Sequence, residues 1–171
     1  MALTDDFDLG RLALTAGEGR RLELDVRIDA FSFGGERYTA APEQLPLVLE
    51  ISRLTGQGYS LRLRFETRLE GPCMRCLERA HPTLAVDARE VDQPGGGEEL
   101  DSPYVNDETL DVHGWARDAL ALALPAQIVC RPDCAGLCAV CGANLNEAGP
   151  EHHHPSAPDP RLAKLSEIKF G

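Results

Sequence analysis

The stretch CRPDCAGLCAVCGANLNEAGPEHHHP, from Cys130 to Pro155, holds four of the chain's six cysteines and three of its five histidines. The other two cysteines stand far upstream in GPCMRCLERAH, at Cys73 and Cys76. Cys73-x-x-Cys76 and Cys138-x-x-Cys141 have the spacing of zinc knuckles, in which a tight turn aims two sulfurs at one tetrahedral ion. Gly142 suits such a turn, because free backbone amides there can donate to the thiolates. Cys130-x-x-x-Cys134 supplies a third pair. His152 and His154 project to the same side of an extended segment, which selects them over His153. Thiolate-rich tetrahedral sets suit zinc, with iron–sulfur as the lesser alternative.

How the ligands group is open at this level. The most economical arrangement has two ions: Cys73, Cys76, Cys130 and Cys134 clamp a hairpin tip to a later segment, and Cys138, Cys141, His152 and His154 close a local knuckle. The rival has one ion, held by Cys73, Cys76, Cys138 and Cys141, with Cys130 and Cys134 spare. Disulfides compete less well, because the amino-terminal MALTDDFDLGRLAL has neither the cationic nor the apolar region of a secretory signal, and cytoplasmic thiols stay reduced. No run of 18 apolar residues is present, so no membrane span is expected. A thioredoxin-like pair would need a βαβ pattern that is missing around Cys73.

The same residues do not complete a catalytic motif. PCMRC, from Pro72 to Cys76, matches half of the zinc deaminase signature. The H-x-E half is missing, because no histidine precedes His81. HExxH, GxSxG and GxxxxGK[ST] are absent. A zinc closed by four protein ligands leaves no open position for a reacting group. These points lead to the expectation of a protein that is not an enzyme and takes no small-molecule substrate.

The surrounding pattern says what must position the ligands. YSLRLRFETRLE alternates strictly from Tyr59 to Glu70, one face apolar and one charged, as a half-buried strand does. RRLELDVRIDAF and LPLVLEISRL repeat the alternation, and HPTLAVDAREV reads as a return strand, which puts Cys73 and Cys76 at a hairpin tip. DVHGWARDALALALP switches to helical spacing, with Asp111 as N-cap and Pro125 as stop. DPRLAKLSEIKFG predicts a short C-terminal helix. The fold class expected is α+β: an antiparallel sheet, curled or barrel-like, with one central helix, a zinc-knuckle segment and the C-terminal helix. Residues 1–19 are expected to be a flexible N-terminal segment, 20–125 a β-rich core with the helix, and 126–171 the metal-binding segment, all within one domain.

The formal charge of the 171-residue chain is −11, which excludes general electrostatic adhesion to nucleic acid. The distribution is uneven. Arg53 to Arg79 holds six arginines against three glutamates, whereas Asp87 to Asp111 holds nine acids against one arginine. Arg62, Arg64 and Arg68 on the polar strand face, with Arg75, Arg79 and Arg131 near the cysteines, are candidate contacts for RNA or a partner. The alternative for them is a solvated face paired with Glu66, Glu70 and Glu78. The net acidity favours a basic protein partner.

The segments CMRCLE after an alternating strand, a helix ending LALALP, then CRPDCAGLCAVCGANLNE and a closing DPRLAKL together resemble the YceD family, the large ribosomal RNA subunit accumulation proteins of bacteria. The resemblance runs from about residue 20 onward, most specifically in the cysteine segments. Many members with this tail carry Cys-x-Cys where His152-x-His154 stands here, a swap that keeps a zinc-competent pair. The resemblance implies a cytoplasmic role in synthesis, processing or stability of 23S rRNA during large-subunit assembly, with a ribosomal precursor, 23S rRNA or a basic ribosomal protein as partner. It offers no catalytic residues to carry over. A zinc or redox sensor and a metal-dependent hydrolase are the competing readings.

Overall fold

Among residues 3–155, which the computed structural model describes, the chain forms ten strands and two α-helices, besides two short 3-10 turns. In order these are β1 (Asp6–Asp8), β2 (Gly19–Val26), β3 (Phe31–Phe33), β4 (Glu36–Ala41), β5 (Leu45–Arg53), β6 (Tyr59–Pro72), β7 (Arg79–Ala80), β8 (Thr83–Asp92), β9 (Val105–Asn106), β10 (Thr109–Asp111), α1 (Val112–Ala123) and α2 (Leu145–Ala148). The alternation in YSLRLRFETRLE makes β6 the centre of the main sheet. Tyr59, Leu61, Leu63, Phe65, Thr67 and Leu69 are buried, and the residues between them are partly or fully exposed. Leu49 and Leu63 face one another across β5 and β6, as do Ile51 and Leu61. A fully buried side chain of this kind contributes roughly 2 kcal/mol relative to exposure.

Every partner of β6 is antiparallel. On one edge it pairs with β5 over Tyr59–Arg64 and then with β4 over Arg68–Glu70. On the other it pairs with β8 over Tyr59–Arg68 and then with β7 over Gly71–Pro72. β2 extends the sheet beyond β5, and β3 beyond β4. The described strands do not close into a barrel, since none joins β2 to β8. A second, three-stranded sheet runs β1-β10-β9. The segment expected to be loosely ordered therefore contributes a strand, β1, and a fully buried Leu9. Three-residue strands carry too little alternation for a pattern to register.

Helix α1 has the stripe its spacing predicts: Val112, Trp115, Ala116, Ala119 and Leu120 are buried. The Asp111 carboxylate accepts the Gly114 N–H at 2.7 Å, a side-chain cap. A Cβ on Gly114 would crowd the Asp111 carboxylate, so glycine leaves the cap room to close. The helix ends at Ala123, with Leu124 already extended before Pro125. The expected helix over DPRLAKLSEIKFG lies outside the described residues.

Gly71, two residues before Cys73, sets the approach to the cysteine hairpin. A Cβ at this position would overlap the ring of Tyr38, which is buried. Gly71→Ala is predicted to destabilise the chain by about 2 kcal/mol through overpacking, read from urea unfolding midpoints.

Candidate metal centres

The hairpin between β6 and β7 turns through Cys73–Glu78. The Cys73 N–H donates to the Glu78 carbonyl at 2.6 Å, and the Leu77 N–H donates to the Cys73 carbonyl at 3.0 Å. Leu77 takes a left-handed backbone, φ 64°, to complete the turn. The Arg75 N–H points at Cys73 Sγ, 3.4 Å away, the amide-to-thiolate bond expected of a knuckle. The segment after α1 then docks on this tip: Met74 N–H donates to the Ile128 carbonyl at 2.8 Å, and Leu137 N–H to the Arg75 carbonyl at 3.1 Å.

These contacts gather Cys73, Cys76, Cys130 and Cys134, whose sulfurs all lie within 4.8 Å of one another. Cys73 Sγ is 3.8 Å from Cys134 Sγ, and Cys76 Sγ is 3.6 Å from Cys130 Sγ. Four sulfurs at the usual zinc–thiolate distance of about 2.3 Å form a tetrahedron with edges of about 3.8 Å. The set fits a tetrahedral ion. Cys73, Cys76 and Cys134 are buried, and Cys130 is half-buried.

Cys138, Cys141, His152 and His154 form the second set, again within 4.8 Å. Here the Cys138 N–H donates to the Ala143 carbonyl, and the Gly142 N–H donates to the Cys138 carbonyl, both at 2.8 Å. Gly142 has φ 74°, which makes glycine the fitting residue in this turn. Cys141 Sγ lies 3.5 Å from His152 Nε2 and 3.3 Å from His154 Nε2, and the two Nε2 atoms are 3.1 Å apart. In a mixed sulfur–nitrogen tetrahedron around zinc the nitrogen–nitrogen and sulfur–nitrogen edges are about 3.3–3.6 Å by the same reckoning. His153 turns away, its Nδ1 lying 2.8 Å from the Glu151 carbonyl. The structure thus brings His152 and His154, and not His153, beside Cys138 and Cys141, and it groups Cys138 and Cys141 apart from Cys73 and Cys76.

The thiols are tuned unequally. Burial opposes ionisation of Cys73, yet backbone N–H groups, chiefly those of Cys76, Arg75 and Cys130, outweigh it and bring its pKa to about 6. Backbone N–H groups of Cys141 and Val140, with His152 beside them, bring Cys138 to about 6. The Asn146 side-chain amide leads in lowering Cys134. Burial leads in raising Cys76, and burial with neighbouring thiols raises Cys130 to about 12. Each set thus has a thiolate ready near neutral pH, and a cation among the sulfurs favours ionisation of the rest.

Four thiolates around a divalent ion leave two negative charges, which the protein must offset. Arg75 stands where this is needed. Its Nη1 donates to the Cys134 carbonyl at 3.1 Å and its Nε to Gln127 Oε1 at 3.0 Å. Arg131 donates to Asn146 Oδ1 at 2.8 Å and pairs with Asp133 at 3.3 Å. Asn146 was not singled out by sequence, and it braces the first centre by bonding Arg131 and a ligand thiol. Its Oδ1 also accepts the Ala135 N–H at 2.8 Å, while its Nδ2 reaches Cys134 Sγ at 3.5 Å. The only signal was Asn144-x-Asn146 opening α2, where Asn144 is the N-cap. Arg75→Ala is predicted to lower the unfolding midpoint, at a cost of about 1–2 kcal/mol, with little rescue by lysine because the forked geometry is lost.

The strand arginines are engaged by neighbouring strands more than by their own. Arg62 grips Asp87 with two hydrogen bonds, at 2.6 and 2.7 Å, and lies 3.7 Å from Glu50. Arg64 pairs with Glu50 at 2.6 Å, and Arg79 with Glu70 at 3.1 Å. Of the six candidate arginines, only Arg68 has no side-chain partner among the described residues. The expected pairing with Glu66 and Glu78 is replaced by cross-strand pairing, because β5 and β8 bring Glu50 and Asp87 opposite the arginines.

An open antiparallel sheet with a cysteine-tipped hairpin, joined to a cysteine–histidine arm by side chains that could hold two metal ions, defines the class of protein. Residues 61–169 match the family model described as large ribosomal RNA subunit accumulation protein YceD, and the chain belongs to that family. An uncharacterised protein of Mycobacterium tuberculosis strain H37Rv is 40% identical over 161 residues, which cover 94% of this chain and 68% of the relative. A Mycobacterium leprae protein is 33% identical over 102 residues, 56% of this chain and 46% of the relative. A maize protein named large ribosomal RNA subunit accumulation protein YCED homolog 1, chloroplastic, is 45% identical over 40 residues, 23% of this chain and 14% of its own length. No solved structure matches. No helix among the described residues is long and apolar enough to cross a membrane.

Proposed function

We propose that this chain is a non-enzymatic, zinc-binding cytoplasmic factor that supports 23S rRNA synthesis, processing or stability during large-subunit assembly. The observation that carries the reading is that each ligand set is complete with four protein side chains. Such closed sites stiffen a docking shape and leave no coordination position for a substrate. Zinc is the ion that best suits six thiols and two imidazoles in tetrahedral sets. Its binding energy would go into holding the segment after α1 against the β6–β7 hairpin. The charge of −11 favours a basic ribosomal protein over bare RNA as the direct contact. Affinity purification from cells stalled in large-subunit assembly tests the role. Enrichment of large-subunit precursors is expected, and recovery of mature ribosomes alone, or of no ribosomal material, overturns it.

A second reading, a zinc or redox sensor, draws on the exposure of Cys141 in the outer centre. Zinc released by mild peroxide from an otherwise folded chain would favour it.

A further inference from the structure

Strand β8 is an edge. Its hydrogen-bonding partner is β6, and among the described residues no strand lies on its outer side. The opposite edge is treated differently. There the N-terminal segment bridges β2, with the Thr4 N–H donating to the Asp25 carbonyl at 2.8 Å. An exposed strand edge is a template for pairing, and proteins usually shorten, cover or kink it. β8 runs for ten residues with no proline inside. A groove of about 510 Å3 follows this edge. Ala85 to Glu90 line it without a break, so both faces and the backbone between them border the space. Its far wall is α1 and the loop before it, through Trp115, Ala119, Leu122, Ala123 and Tyr104. Leu122 is 88% exposed on an otherwise well-patterned helix.

The charge around the groove selects its occupant. Asp87 and Glu90 lie within the lining against Arg89, with Asp87 held by Arg62. Asp118, which accepts from the Tyr104 hydroxyl at 3.3 Å, is paired with Arg117 at 3.2 Å, so the surplus of acid comes from Glu90 and the loop beyond it. The loop after β8 folds back at the end of the groove, with the Gln93 N–H donating to the Leu100 carbonyl at 2.7 Å and the Ser102 N–H to Asp92 at 3.2 Å. It carries the exposed acids Glu99 and Asp101. Phosphate would be repelled here. A second copy would bring another −11 to the same acidic edge.

We propose that the outer edge of β8 and the facing side of α1 form a docking groove for an extended, lysine- or arginine-rich segment of a partner protein, which adds as a strand. The backbone of the segment supplies hydrogen bonds along the edge, its apolar side chains pack on Leu122 and Ala123, and its cations meet the acids. This deepens the assembly-factor reading and rests on it for the partner being ribosomal.

The test uses the full zinc-loaded chain and a labelled peptide of about ten residues alternating lysine with valine, with an aspartate-for-lysine peptide as control. The lysine peptide should bind at least about tenfold more tightly than the control, and high salt should weaken it. In the free chain, residue-resolved amide exchange should show a period of two along Thr83–Asp92, with alternate amides fast, and peptide binding should protect the fast set. Leu122→Lys, at an exposed position that tolerates lysine, should weaken binding about tenfold without moving the unfolding midpoint. Equal binding of both peptides, protection on another strand, or β8 amides uniformly protected in the free chain would each overturn the groove. The last outcome would mean that the chain's own terminal residues or a second copy already covers the edge. Ribosomal recovery is read separately: peptide docking at β8 with no precursor recovered leaves the groove and removes the ribosomal reading.

Discussion

Replacing Cys73 with serine is expected to drop the bound zinc from two ions per chain to one and to loosen the protein in a particular place. Cys73 is completely buried, and its sulfur is 3.8 Å from Cys134 across 61 residues of sequence. A serine hydroxyl is a poor zinc ligand, and the three remaining thiols would be left in a desolvated pocket without their ion. Structural zinc contributes binding energy on the order of 10 kcal/mol to folding, so a loss of about 3 kcal/mol or more is expected in chemical unfolding. The β-sheet has its own buried core and should keep its far-ultraviolet signature. The segment after α1 should detach, so limited proteolysis between about residues 126 and 140 should accelerate at least tenfold, as local unfolding allows. Cys141→Ser makes the contrast. It should also lose one zinc, yet change unfolding of the sheet by less than about 1 kcal/mol, because its centre closes only a local loop. Equal costs for the two variants would contradict the division of labour between the centres.

A strong chelator should strip the centres in order. The outer set offers an exposed Cys141 and lies at the surface, whereas Cys73, Cys76 and Cys134 are buried under the docked segment. Zinc should leave in two phases of equal amplitude, the first at least about tenfold faster. In the same experiment on Cys141→Ser the fast phase should vanish, and on Cys73→Ser the slow one. A single phase, or loss of both phases from one substitution, would mean that the ions are not held independently.

Strands β2, β5, β6 and β8 were legible because apolar and polar residues alternate along each for long enough that a period of two stands out, even in β2, where Val26 is buried and Leu22 and Leu24 are half-buried. Helix α1 was legible for the matching reason, since its stripe repeats over three turns. The hairpin β3–β4 was not. ERYTAA buries Tyr38 and then runs into two alanines, and its place beside β6 is set by the close packing of Gly71 on the Tyr38 ring, a contact between distant residues. The sheet β1-β10-β9 was invisible because its strands are only two or three residues long, and β1 joins the local β9–β10 hairpin from about a hundred residues away in sequence. At the candidate centres, spacing singled out the eight side chains, and the docking of the segment after α1 on the hairpin tip, which leaves no local signature, is what groups them. Asn146 escaped because an asparagine that bonds a thiol, an arginine and a backbone amide looks, in sequence, like any loop asparagine. The arginines were visible as a cluster, but their partners lie on other strands, which only the sheet order reveals.

The most direct measurement of the central claim is zinc-edge X-ray absorption on the full chain together with metal content. Six cysteines and two histidines shared between two ions predict two zincs per chain and an average shell of three sulfurs to one nitrogen, at about 2.3 and 2.0–2.1 Å. A single zinc surrounded by four sulfurs, or a shell that includes a water oxygen, would contradict the account.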